Sequence, residues 1–463
     1  MHRSFRDPDG YVFASGDKIF RCIFSQSSDS FLSFLDSATN RECVERGELC
    51  DSRILSPGEV AEIDRNLPPD ALLVEHSRLT FPNYPYEWAP PMLHAAAALS
   101  LHLAEDAHRN GFEMKDATPF NVMFEDARPI FIDMLSFQTP AAKERVWRPY
   151  AQFVRTFLYP LLAARYFGLQ LNEIFTVHRE GLETARMRQL ASPLRLLSQP
   201  FLELVTIPSF TPASSQAYQP RPSTDAAEAE FIQQGLLRHL RKLLNKIQPA
   251  LASKHGKAAY VEHDLPYAES EFTAKQKLIT DVFVRHGARS VLDIGCNTGH
   301  FSCLAARHGA KVVAIDSDQN CIANLWKTVR SSGLTVLPLV VDLARPTPSL
   351  GWHNQEGESF LDRARGRFDC VLMLGLLHHL LVTERTPLDM ILNLAAELTT
   401  SLVIIEWVDP TDPQFQSIAR GRQHLHTLST AGFEAEARRH FEILSQSSVN
   451  KTRSIYVLKK RSS

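Results

Sequence analysis

The sequence predicts an α/β fold, with a seven-stranded sheet in the C-terminal half that follows a smaller α+β domain. From residue 290 onward, short apolar runs typical of buried strands alternate with longer segments that have apolar residues at helical spacing. This alternation predicts a largely parallel sheet with helices on both faces. The last two strand-like segments, 441–446 and 454–458, are separated by a short polar turn, which predicts an antiparallel end to the sheet.

The elements of this sheet are bounded by turn residues or by a change of hydrophobic period. The predicted strands are 290–294, 311–315, 335–341, 369–374, 401–406, 441–446 and 454–458. The predicted helices are 300–308, 318–331, 388–397 and 412–431. An irregular insert occupies 342–367, and its length is typical of functional loops and equally of plain surface loops.

The composition is that of a soluble globular chain. Its 463 residues exceed the usual size of one domain, and 44% of them are hydrophobic, which is enough to bury several cores. Lysine and arginine number 50 against 52 aspartates and glutamates, so the chain lacks the broad basic field of a general nucleic-acid binder. We therefore expect no nucleic-acid partner.

The cysteines and the N-terminus indicate a cytoplasmic protein. The seven cysteines are scattered and no two have CxxC spacing, which argues against a disulfide scaffold and a four-cysteine zinc site. The first ten residues contain no apolar core of a signal peptide. The longest apolar stretch, 92–104, is interrupted by His94 and His102 and is too short to cross a bilayer, so no membrane partner is expected.

A segment rich in proline, serine and alanine, residues 207–228, is predicted to link two halves of the chain. The predicted domains are therefore 1–206 and 229–463. The second begins with an amphipathic segment, 231–252, whose polar face carries Arg238, Arg241, Lys242 and Lys246. Such a face occurs on helices that bind membranes or nucleic acids, but packing on a domain with solvated charges is the favoured interpretation.

The central motif of the C-terminal half is the sequence VLDIGCNTGH. A buried strand runs into Asp293, and Gly295 and Gly299 precede a helix. Glycine at such a turn lets the backbone approach a ligand, and the free N–H groups at the start of the helix face that ligand. Asp316 and Asp342 follow the next two strands, where acidic side chains can bind ribose hydroxyls and an adenine amino group.

Two nucleotide-type ligands fit this pattern, NAD(P) and S-adenosylmethionine. The second is favoured because Asp293 stands where a dehydrogenase loop has an apolar or small residue. In addition, Asn297 and Thr298 stand where a GxGxxG loop would have its middle glycine and approach a pyrophosphate. The antiparallel end of the predicted sheet favours the same ligand. A doubly wound domain with no ligand is the less favoured alternative.

These residues resemble the Rossmann-like class I S-adenosylmethionine-dependent methyltransferases, whose motif is (D/E)xGxGxG. Asn297 replaces the middle glycine, which bears on the local geometry of the loop. The resemblance implies that Asp293 and the loop backbone hold the methionine end of S-adenosyl-L-methionine, Asp316 the ribose and Asp342 the adenine. The complete predicted cofactor-binding set is Tyr267, Lys275, Asp293, Gly295, Cys296, Asn297, Gly299, Asp316, Ser317, Asp342, Leu343 and Gly375.

The catalytic candidates lie near the ends of the fourth and fifth predicted strands and are His378, His379 and Glu406. A histidine there could act as the base for a hydroxyl or amine acceptor. For His378 a structural role is an equally good interpretation, and for His379 the structural role is favoured. Glu406 could equally be a supporting carboxylate. Adjacent histidines point to different sides of the chain, so no metal site is predicted.

The acceptor is predicted to be a small molecule or a glycan-type compound methylated on O or N. The (N/D)PP(Y/F) motif of enzymes that methylate exocyclic amines is missing after the fourth strand, and GLLHHL resembles methyltransferases of small molecules. Residues 260–279 are predicted to fold over the cofactor as a lid. In this lid, Tyr267 would form an aromatic wall and Lys275 would contact the cofactor carboxylate.

The N-terminal half carries a second pattern. Asp116 and Asn121 stand five residues apart, a strand hairpin follows, and Asp133 ends it, as in phosphotransferases of the protein-kinase and aminoglycoside-kinase type. The sequence departs from these enzymes in having MKD at 114–116 instead of HxD, Met134 and Leu135 instead of Phe–Gly after Asp133, and no glycine-rich phosphate loop. Lys18 is the one early candidate for an ATP lysine. A degenerate kinase-like module is favoured. The alternatives are an active kinase that binds ATP and Mg²⁺, and an unrelated α+β domain.

The segments YPYEW, KDATPFNV, FIDMLSF, WRPYAQF, DIGCNTG and GWHN together resemble bacterial two-part methyltransferases related to nodulation proteins. This resemblance covers most of the chain and supports the pairing of the two predicted domains. The sequence therefore predicts a methyltransferase with S-adenosyl-L-methionine as cofactor. A bifunctional phosphotransferase–methyltransferase, and a sensor or scaffold that binds the cofactor without turnover, are the alternatives.

Overall fold

The computed structural model describes residues 4–63, 67–68, 70–140, 146–210, 226–249, 269–419 and 428–461. The chain divides into two compact units, Met1–Ala250 and Leu251–Ser463. Among the described residues, no helix is long and apolar enough to cross a membrane. The first unit is mainly helical with a small sheet, and the second is built around one large sheet.

The first unit begins with a four-stranded antiparallel sheet in the order β1–β2–β4–β3. Its strands are β1 (Gly10–Ser15), β2 (Lys18–Ile23), β3 (Ser52–Ile54) and β4 (Leu72–His76). One face of the sheet carries an apolar cluster formed by Tyr11, Phe13, Phe20, Cys22, Leu55 and Leu73. Burial of this cluster is the main force that holds the small sheet in the unit.

Helix α4 is the longest described apolar helix of the first unit and contains the apolar stretch 92–104. It spans Pro90–Arg109, and its apolar residues and most of its alanines are buried. The other helices are α1 (Ser25–Leu35), α2 (Ala38–Glu45), α3 (Pro57–Ile63), α5 (Tyr150–Phe153), α6 (Tyr159–Phe167), α7 (Leu171–Phe175), α8 (Thr184–Leu190), α9 (Pro193–Leu196), α10 (Ile207–Ser209) and α11 (Ala226–Lys246). Two short antiparallel pairs follow α4, namely β5 (Glu113–Met114) with β8 (Phe137–Gln138) and β6 (Val122–Glu125) with β7 (Arg128–Phe131).

Helix α11 packs on α4 and therefore belongs to the first unit. The sequence analysis assigned this helix to the C-terminal domain and placed the boundary at 207–228. Instead, Leu240 and Leu244 of α11 are buried, and Arg241 forms a two-pronged ion pair with Glu105 of α4 at 2.8 and 3.0 Å. The periodicity of α11 predicts its apolar face correctly, and the contacts with α4 place the boundary near residue 250.

The second unit is a seven-stranded mixed sheet in the order β11–β10–β9–β12–β13–β15–β14. Its strands are β9 (Ser290–Ile294), β10 (Lys311–Asp316), β11 (Val336–Val340), β12 (Phe368–Met373), β13 (Thr399–Val408), β14 (Phe441–Ser448) and β15 (Arg453–Lys460). The first five of these pair in parallel, and β15 pairs antiparallel with both β13 and β14. This confirms the predicted α/β sheet with its antiparallel end.

The helices of the second unit are α12 (Glu269–His286), α13 (His300–Arg307), α14 (Gln319–Ser332), α15 (Phe360–Ala364), α16 (Leu377–Val382), α17 (Leu388–Leu398), α18 (Pro413–Ala419) and α19 (Thr430–His440). The sequence analysis predicted one helix over 412–431, and this was wrong. The structure has two separate helices here, α18 and α19. Helix α19 begins after Ser429, whose hydroxyl accepts a hydrogen bond from the Gly432 N–H. A capping serine inside the predicted span marks the start of the second helix.

The strands of the sheet are parallel where the predicted ligand crevice lies. The neighbours β11, β10, β9 and β12 run in the same direction, so their carboxyl ends meet at one edge. In open α/β sheets, ligands bind at this edge. The candidate site is therefore built from the residues that follow these four strands.

Candidate functional site

The turn between β9 and α13 contains three residues with left-handed backbone. Gly295, Asn297 and Gly299 have φ values of 74°, 51° and 79°. The N–H groups of Gly295 and Cys296 both donate to the carbonyl oxygen of Ile315, at 2.8 and 3.0 Å. The turn is thus tied to the end of the neighbouring strand β10, and we call residues 295–299 the β9–α13 turn.

Asn297 takes the backbone geometry that the family motif obtains from its middle glycine. Asparagine tolerates the left-handed region better than other non-glycine residues. Its N–H donates to Oδ2 of Asp316 at 2.9 Å, and its side-chain oxygen accepts from Sγ of Cys321 at 3.4 Å. The departure of the sequence from the motif therefore leaves a left-handed residue at this position.

Gly299 is the residue at which α13 begins, and the space around it admits no side chain. A Cβ atom built there would lie 2.2 Å from Cδ1 of Leu325, which is fully buried on α14. Only glycine combines this close contact with a positive φ at no steric cost. The free N–H groups of the first turn of α13 then face the edge of the sheet, where a polar ligand can accept from them.

Acidic residues follow β10 and β11 at the same edge. Asp316 ends β10, and its Oδ1 accepts from the Asp318 N–H at 2.9 Å. Asp342 follows β11, accepts from the Ala344 N–H at 2.9 Å and has an ion pair with the exposed Arg345 at 3.1 Å. Both carboxylates are half-buried. The predicted neighbours of these two residues follow each of them directly, with Ser317 exposed and Leu343 half-buried.

Asp293 lies deeper than the sequence analysis expected. It is 2% exposed, and its Oδ2 accepts a hydrogen bond of 2.5 Å from the Ser302 hydroxyl on α13. Burial raises the pKa of Asp293 to about 6, against the hydrogen bond from Ser302, which lowers it. The carboxylate thus joins β9 to α13 through its hydrogen bond with Ser302.

A buried charge network lies beneath the ends of β12 and β13. Nζ of Lys275, on α12, is 2.6 Å from Oε2 of Glu406, which has no exposed surface. Oε1 of Glu406 faces Arg453 of β15 at 3.6 Å. The guanidinium of Arg453 donates to both oxygens of Asp412 at 2.9 and 3.0 Å. We call Lys275, Glu406, Asp412 and Arg453 the buried charge network.

The buried charge network gives Lys275 a different partner from the one that the sequence predicts. The sequence analysis placed its ammonium group against the cofactor carboxylate, but in the structure it is paired with Glu406. It also lies 5.1 Å from the centroid of the Phe301 ring. Two opposite charges that are both buried stay ionised only when they are paired and hydrogen-bonded. Lys275 is thus first of all the partner of Glu406.

His378 and His379 lie in the first turn of α16, which begins at Leu377, a short distance after the end of β12. His378 is 3% exposed, and among the described residues its Nδ1 has no hydrogen-bond partner. Burial lowers the pKa of His378 to about 3, with smaller contributions in the same direction from His379 and Arg453. His379 is exposed, and the centroids of the two rings are 4.3 Å apart. The structure therefore distinguishes a buried, neutral imidazole from a surface one.

Gly375 completes the edge of the sheet between β12 and α16. Its φ is 67°, and the nearest atom to a Cβ built there is Oε2 of Glu406, at 3.9 Å. Cys296 is buried in the β9–α13 turn, and burial raises the pKa of its thiol. Cys296 therefore serves there as a small neutral residue. Tyr267, the predicted aromatic wall, lies outside the described residues.

In the first unit, the structure brings together the residues of the phosphotransferase-like pattern. Nδ2 of Asn121 donates to the Ser136 hydroxyl at 3.0 Å, and that hydroxyl donates to Oδ2 of Asp133 at 2.6 Å. Nη1 of Arg21, on β2, lies 2.8 Å from Oδ1 of Asp133. Burial and, second, the charge of Asp133 raise the pKa of Asp116. Within the described part of the chain, no group of three or more His, Cys, Asp or Glu side chains is arranged to hold a metal ion.

Lys18 is not the cation of this cluster, which corrects the sequence analysis. Its ammonium is exposed and pairs with Glu75 at 2.9 Å, on the strand next to β2. Arg21, three residues later on the same strand, is the buried cation that reaches Asp133. The position along the strand explains the difference, because Lys18 is the exposed first residue of β2 and Arg21 lies in its buried part.

Sequence reasoning also missed Arg453, Asp412 and Ser302. A signal for Arg453 was present, since it is a charged residue at the start of the apolar strand RSIYVLKK. Asp412 stands directly before Pro413, the first residue of α18, which is a typical helix start. Neither pattern says which partner the side chain meets, because that depends on the tertiary fold.

The low pKa of His378 predicts a specific pH dependence of stability. Between pH 6.5 and about pH 3, the unfolded chain protonates this imidazole whereas the folded chain does not. The unfolded state then binds more protons, so the stability contributed by neutral His378 falls as the pH falls through 6.5. In His378→Asn, which cannot titrate, this loss disappears.

We expect the free energy of unfolding of the wild type to fall by about 2 kcal/mol more than that of His378→Asn between about pH 7.5 and 5. The measurement is denaturant unfolding of both proteins at the two pH values. Equal losses for the two proteins would show that His378 titrates normally in the folded chain.

Residues 233–451 match the family model described as a methyltransferase domain. The chain is 29% identical over 427 residues to the nodulation protein NoeA of Rhizobium meliloti (strain 1021), covering 91% of this chain and 87% of that protein. It is also 31% identical over 110 residues to a glycine/sarcosine N-methyltransferase of Parasynechococcus marenigrum (strain WH8102), covering 23% of this chain and 34% of that protein.

Among solved structures, the magnesium protoporphyrin IX methyltransferase ChlM of Synechocystis PCC 6803 with bound SAM is similar at 17% identity. The match covers 44% of this chain and 88% of that one, with a TM-score of 0.31. The family match over 233–451 includes the β9–α13 turn and the strands whose ends carry Asp316 and Asp342. The comparisons thus find a methyltransferase domain in this chain, and the chain is an S-adenosyl-L-methionine-dependent methyltransferase.

Proposed function

We propose that this protein transfers the methyl group of S-adenosyl-L-methionine to an oxygen or nitrogen atom of a small-molecule or glycan-type acceptor. The observation that carries the proposal is the left-handed β9–α13 turn with Asp316 at the adjoining strand end. This arrangement brings the start of α13 and a carboxylate to the same edge of the sheet, where one ligand can contact both. A ligand with an anionic or hydroxyl-rich part and a cationic part fits both features.

Each acidic residue is assigned to a different part of the cofactor. In this proposal the half-buried Asp316 accepts from the ribose hydroxyls, because each of its oxygens can accept more than the one backbone N–H that it receives. Asp342 and Leu343 hold the adenine amino group and ring. The buried Asp293, whose pKa is raised by burial, lies beneath the turn and supports the positive end of the cofactor.

The chemistry is an in-line displacement. The sulfonium supplies an activated methyl group, an acceptor lone pair forms the new bond to carbon, and the electron pair of the broken bond remains on sulfur. A hydroxyl or ammonium acceptor must also lose a proton, and the protein must supply a group that accepts it. The acceptor must approach closely along the line of the breaking bond, so orientation accounts for much of the rate.

His378 is the proposed proton acceptor. The support for this role is geometric, because the imidazole is buried near the end of β12 and its Nδ1 has no partner among the described residues, so that nitrogen is available to an acceptor that reaches it. Glu406 is less suited to this role, because Lys275 and Arg453 both face its carboxylate and stabilise the ionised form. We assign Glu406 to holding the edge of the site, and we assign no chemical step to the exposed His379.

The side chains at the edge of the sheet favour one class of methyl acceptor. A charged carboxylate beside a neutral imidazole favours a hydroxyl or an amine as the acceptor group. That group would belong to a molecule small enough to enter the crevice as a whole. The shorter relative is named a glycine/sarcosine N-methyltransferase, which supports a nitrogen acceptor on a small molecule. The seven cysteines are free, which supports the cytoplasm as the compartment.

Cofactor binding is tested by replacing Asp316. We expect Asp316→Ala to weaken binding of S-adenosyl-L-methionine by at least about tenfold, because hydrogen bonds to a charged group contribute about 1.5–3 kcal/mol. The measurement is titration calorimetry with the full chain.

The matched control for this prediction is Asp369→Ala. Asp369 accepts two backbone N–H groups, from Arg289 and Ser290, near the opposite ends of the strands. It should therefore lower stability and leave the affinity unchanged. Equal affinities of Asp316→Ala and wild type would contradict the assignment of the ribose.

A turnover assay distinguishes an enzyme from a sensor or scaffold that binds the cofactor without forming a product. When wild-type protein is incubated with cofactor labelled in the methyl group and a cell extract, mass spectrometry should detect a labelled small product. His378→Asn should bind the cofactor with wild-type affinity and form this product at least about a hundredfold more slowly, the usual loss for a general base. Unchanged product formation in His378→Asn would refute the assigned base, and cofactor binding without any product would favour the sensor.

For the first unit, we propose a degenerate phosphotransferase-like module. The support is that Arg21 already provides a cation to Asp133, and Ser136 donates to the other oxygen of the same carboxylate. A Mg²⁺ ion at this carboxylate would have to compete with the positive charge of Arg21. ATP binding that requires Mg²⁺ and is lost in Asp133→Ala would overturn this proposal and favour the bifunctional enzyme.

A further inference from the structure

Four large apolar side chains project from two short helices of the first unit. Leu194 on α9 and Leu197, which follows it, are 83% and 69% exposed. Ile207 on α10 and Phe210, which follows it, are 57% and 76% exposed. In each pair the residues are three apart, so both side chains lie on the same face of their helix. We call these four residues the α9–α10 patch.

The two helices are held next to each other. The Thr206 hydroxyl donates to the carbonyl oxygen of Leu196 at 2.7 Å. Because Thr206 directly precedes Ile207 and Leu196 directly precedes Leu197, this hydrogen bond holds the two helices together at the patch. Beneath them, Phe201, Leu204 and Val205 are buried in the unit. The patch therefore rests on an anchored base. Large apolar surfaces of this kind on a folded protein usually mark a binding site.

Cationic side chains border the patch. The guanidinium of Arg188, on α8, lies 6.0 Å from the centroid of the Phe210 ring, and Arg186 is exposed on the same helix. Of the neighbouring carboxylates, Glu183 is paired with Arg155, and Glu203 contacts Nε2 of His239. The two arginines of α8 therefore place positive charge along this border of the patch.

Helix α11 extends this positive surface. The contact of His239 with Glu203 brings α11 against the segment that leads into α10. Arg238, Lys242 and Lys246 recur at every fourth position of α11 and are all exposed. The basic residues that the sequence analysis singled out thus lie on a helix that contacts the segment leading into α10, in addition to the packing of α11 on α4.

We propose that the α9–α10 patch binds the surface of an anionic lipid bilayer. Apolar side chains of this size enter the boundary between headgroups and acyl chains, and arginines and lysines around them pair with lipid phosphates. Charge complementarity selects this occupant, because a second copy of the same patch would bring cation against cation. This surface contact requires no membrane-spanning helix, and it is independent of the methyltransferase function.

The test is co-sedimentation of the full chain with phosphatidylcholine vesicles, with and without about 30% phosphatidylglycerol. We expect binding to the anionic vesicles, weaker binding to neutral ones, and a loss as salt is raised. Leu194→Ser/Leu197→Ser/Phe210→Ser should lower the bound fraction at least about tenfold, because the apolar part of the contact is removed. Arg186→Gln/Arg188→Gln should lower binding and reduce its dependence on salt.

The matched control is Val284→Ser, which removes a side chain of 70% exposure from the second unit. It should bind vesicles as the wild type does. Circular dichroism and thermal unfolding must show that the triple variant is folded. Binding that the triple variant retains, or no binding of folded wild-type protein to anionic vesicles, would overturn the proposal. A dimer in size-exclusion chromatography that the triple variant dissolves would also overturn it, in favour of self-association.

Discussion

The geometry of the second unit depends on the way in which the chain turns from β9 into α13. Three residues in five have positive φ, and the turn is tied to β10 by the Ile315 carbonyl and the Asp316 carboxylate. Such a turn is stable only where glycine or asparagine occupies each left-handed position. Because Leu325 packs under Gly299, α13 starts at a fixed height above the sheet. The N–H groups of α13 and the acidic strand ends therefore face the same space.

The opposite side of this space is held by the buried charge network. Its four charged side chains come from α12, β13, the residue before α18, and β15, so one set of ion pairs fastens four parts of the second unit together. Buried ion pairs add little net stability, but removal of one partner is costly, because a charge is then left alone in a low dielectric. The network thus defines one arrangement of the edge around His378 and Gly375.

Much of the fold was predictable from the sequence because its signals are local. Alternating strand and helix periods predict the parallel sheet, and the glycines and strand-end acids predict its functional edge. The ion pair of Lys275 with Glu406 joins residues 131 positions apart, and that of Arg453 with Asp412 joins residues 41 apart. No local pattern specifies such partners. The boundary between units was missed for the same reason, since the apolar stripe of α11 predicts a buried face without saying that α4 covers it.

The central claim is that the β9–α13 turn forms the cofactor site, and Gly299 tests it most directly. Gly299→Ala and Gly309→Ala both place alanine at a positive φ, of 79° and 88°, but only at Gly299 would the new Cβ meet a neighbour, Leu325. Titration calorimetry with S-adenosyl-L-methionine should show a loss of affinity of at least about tenfold for Gly299→Ala and wild-type affinity for Gly309→Ala. Wild-type affinity in a folded Gly299→Ala protein would contradict the account.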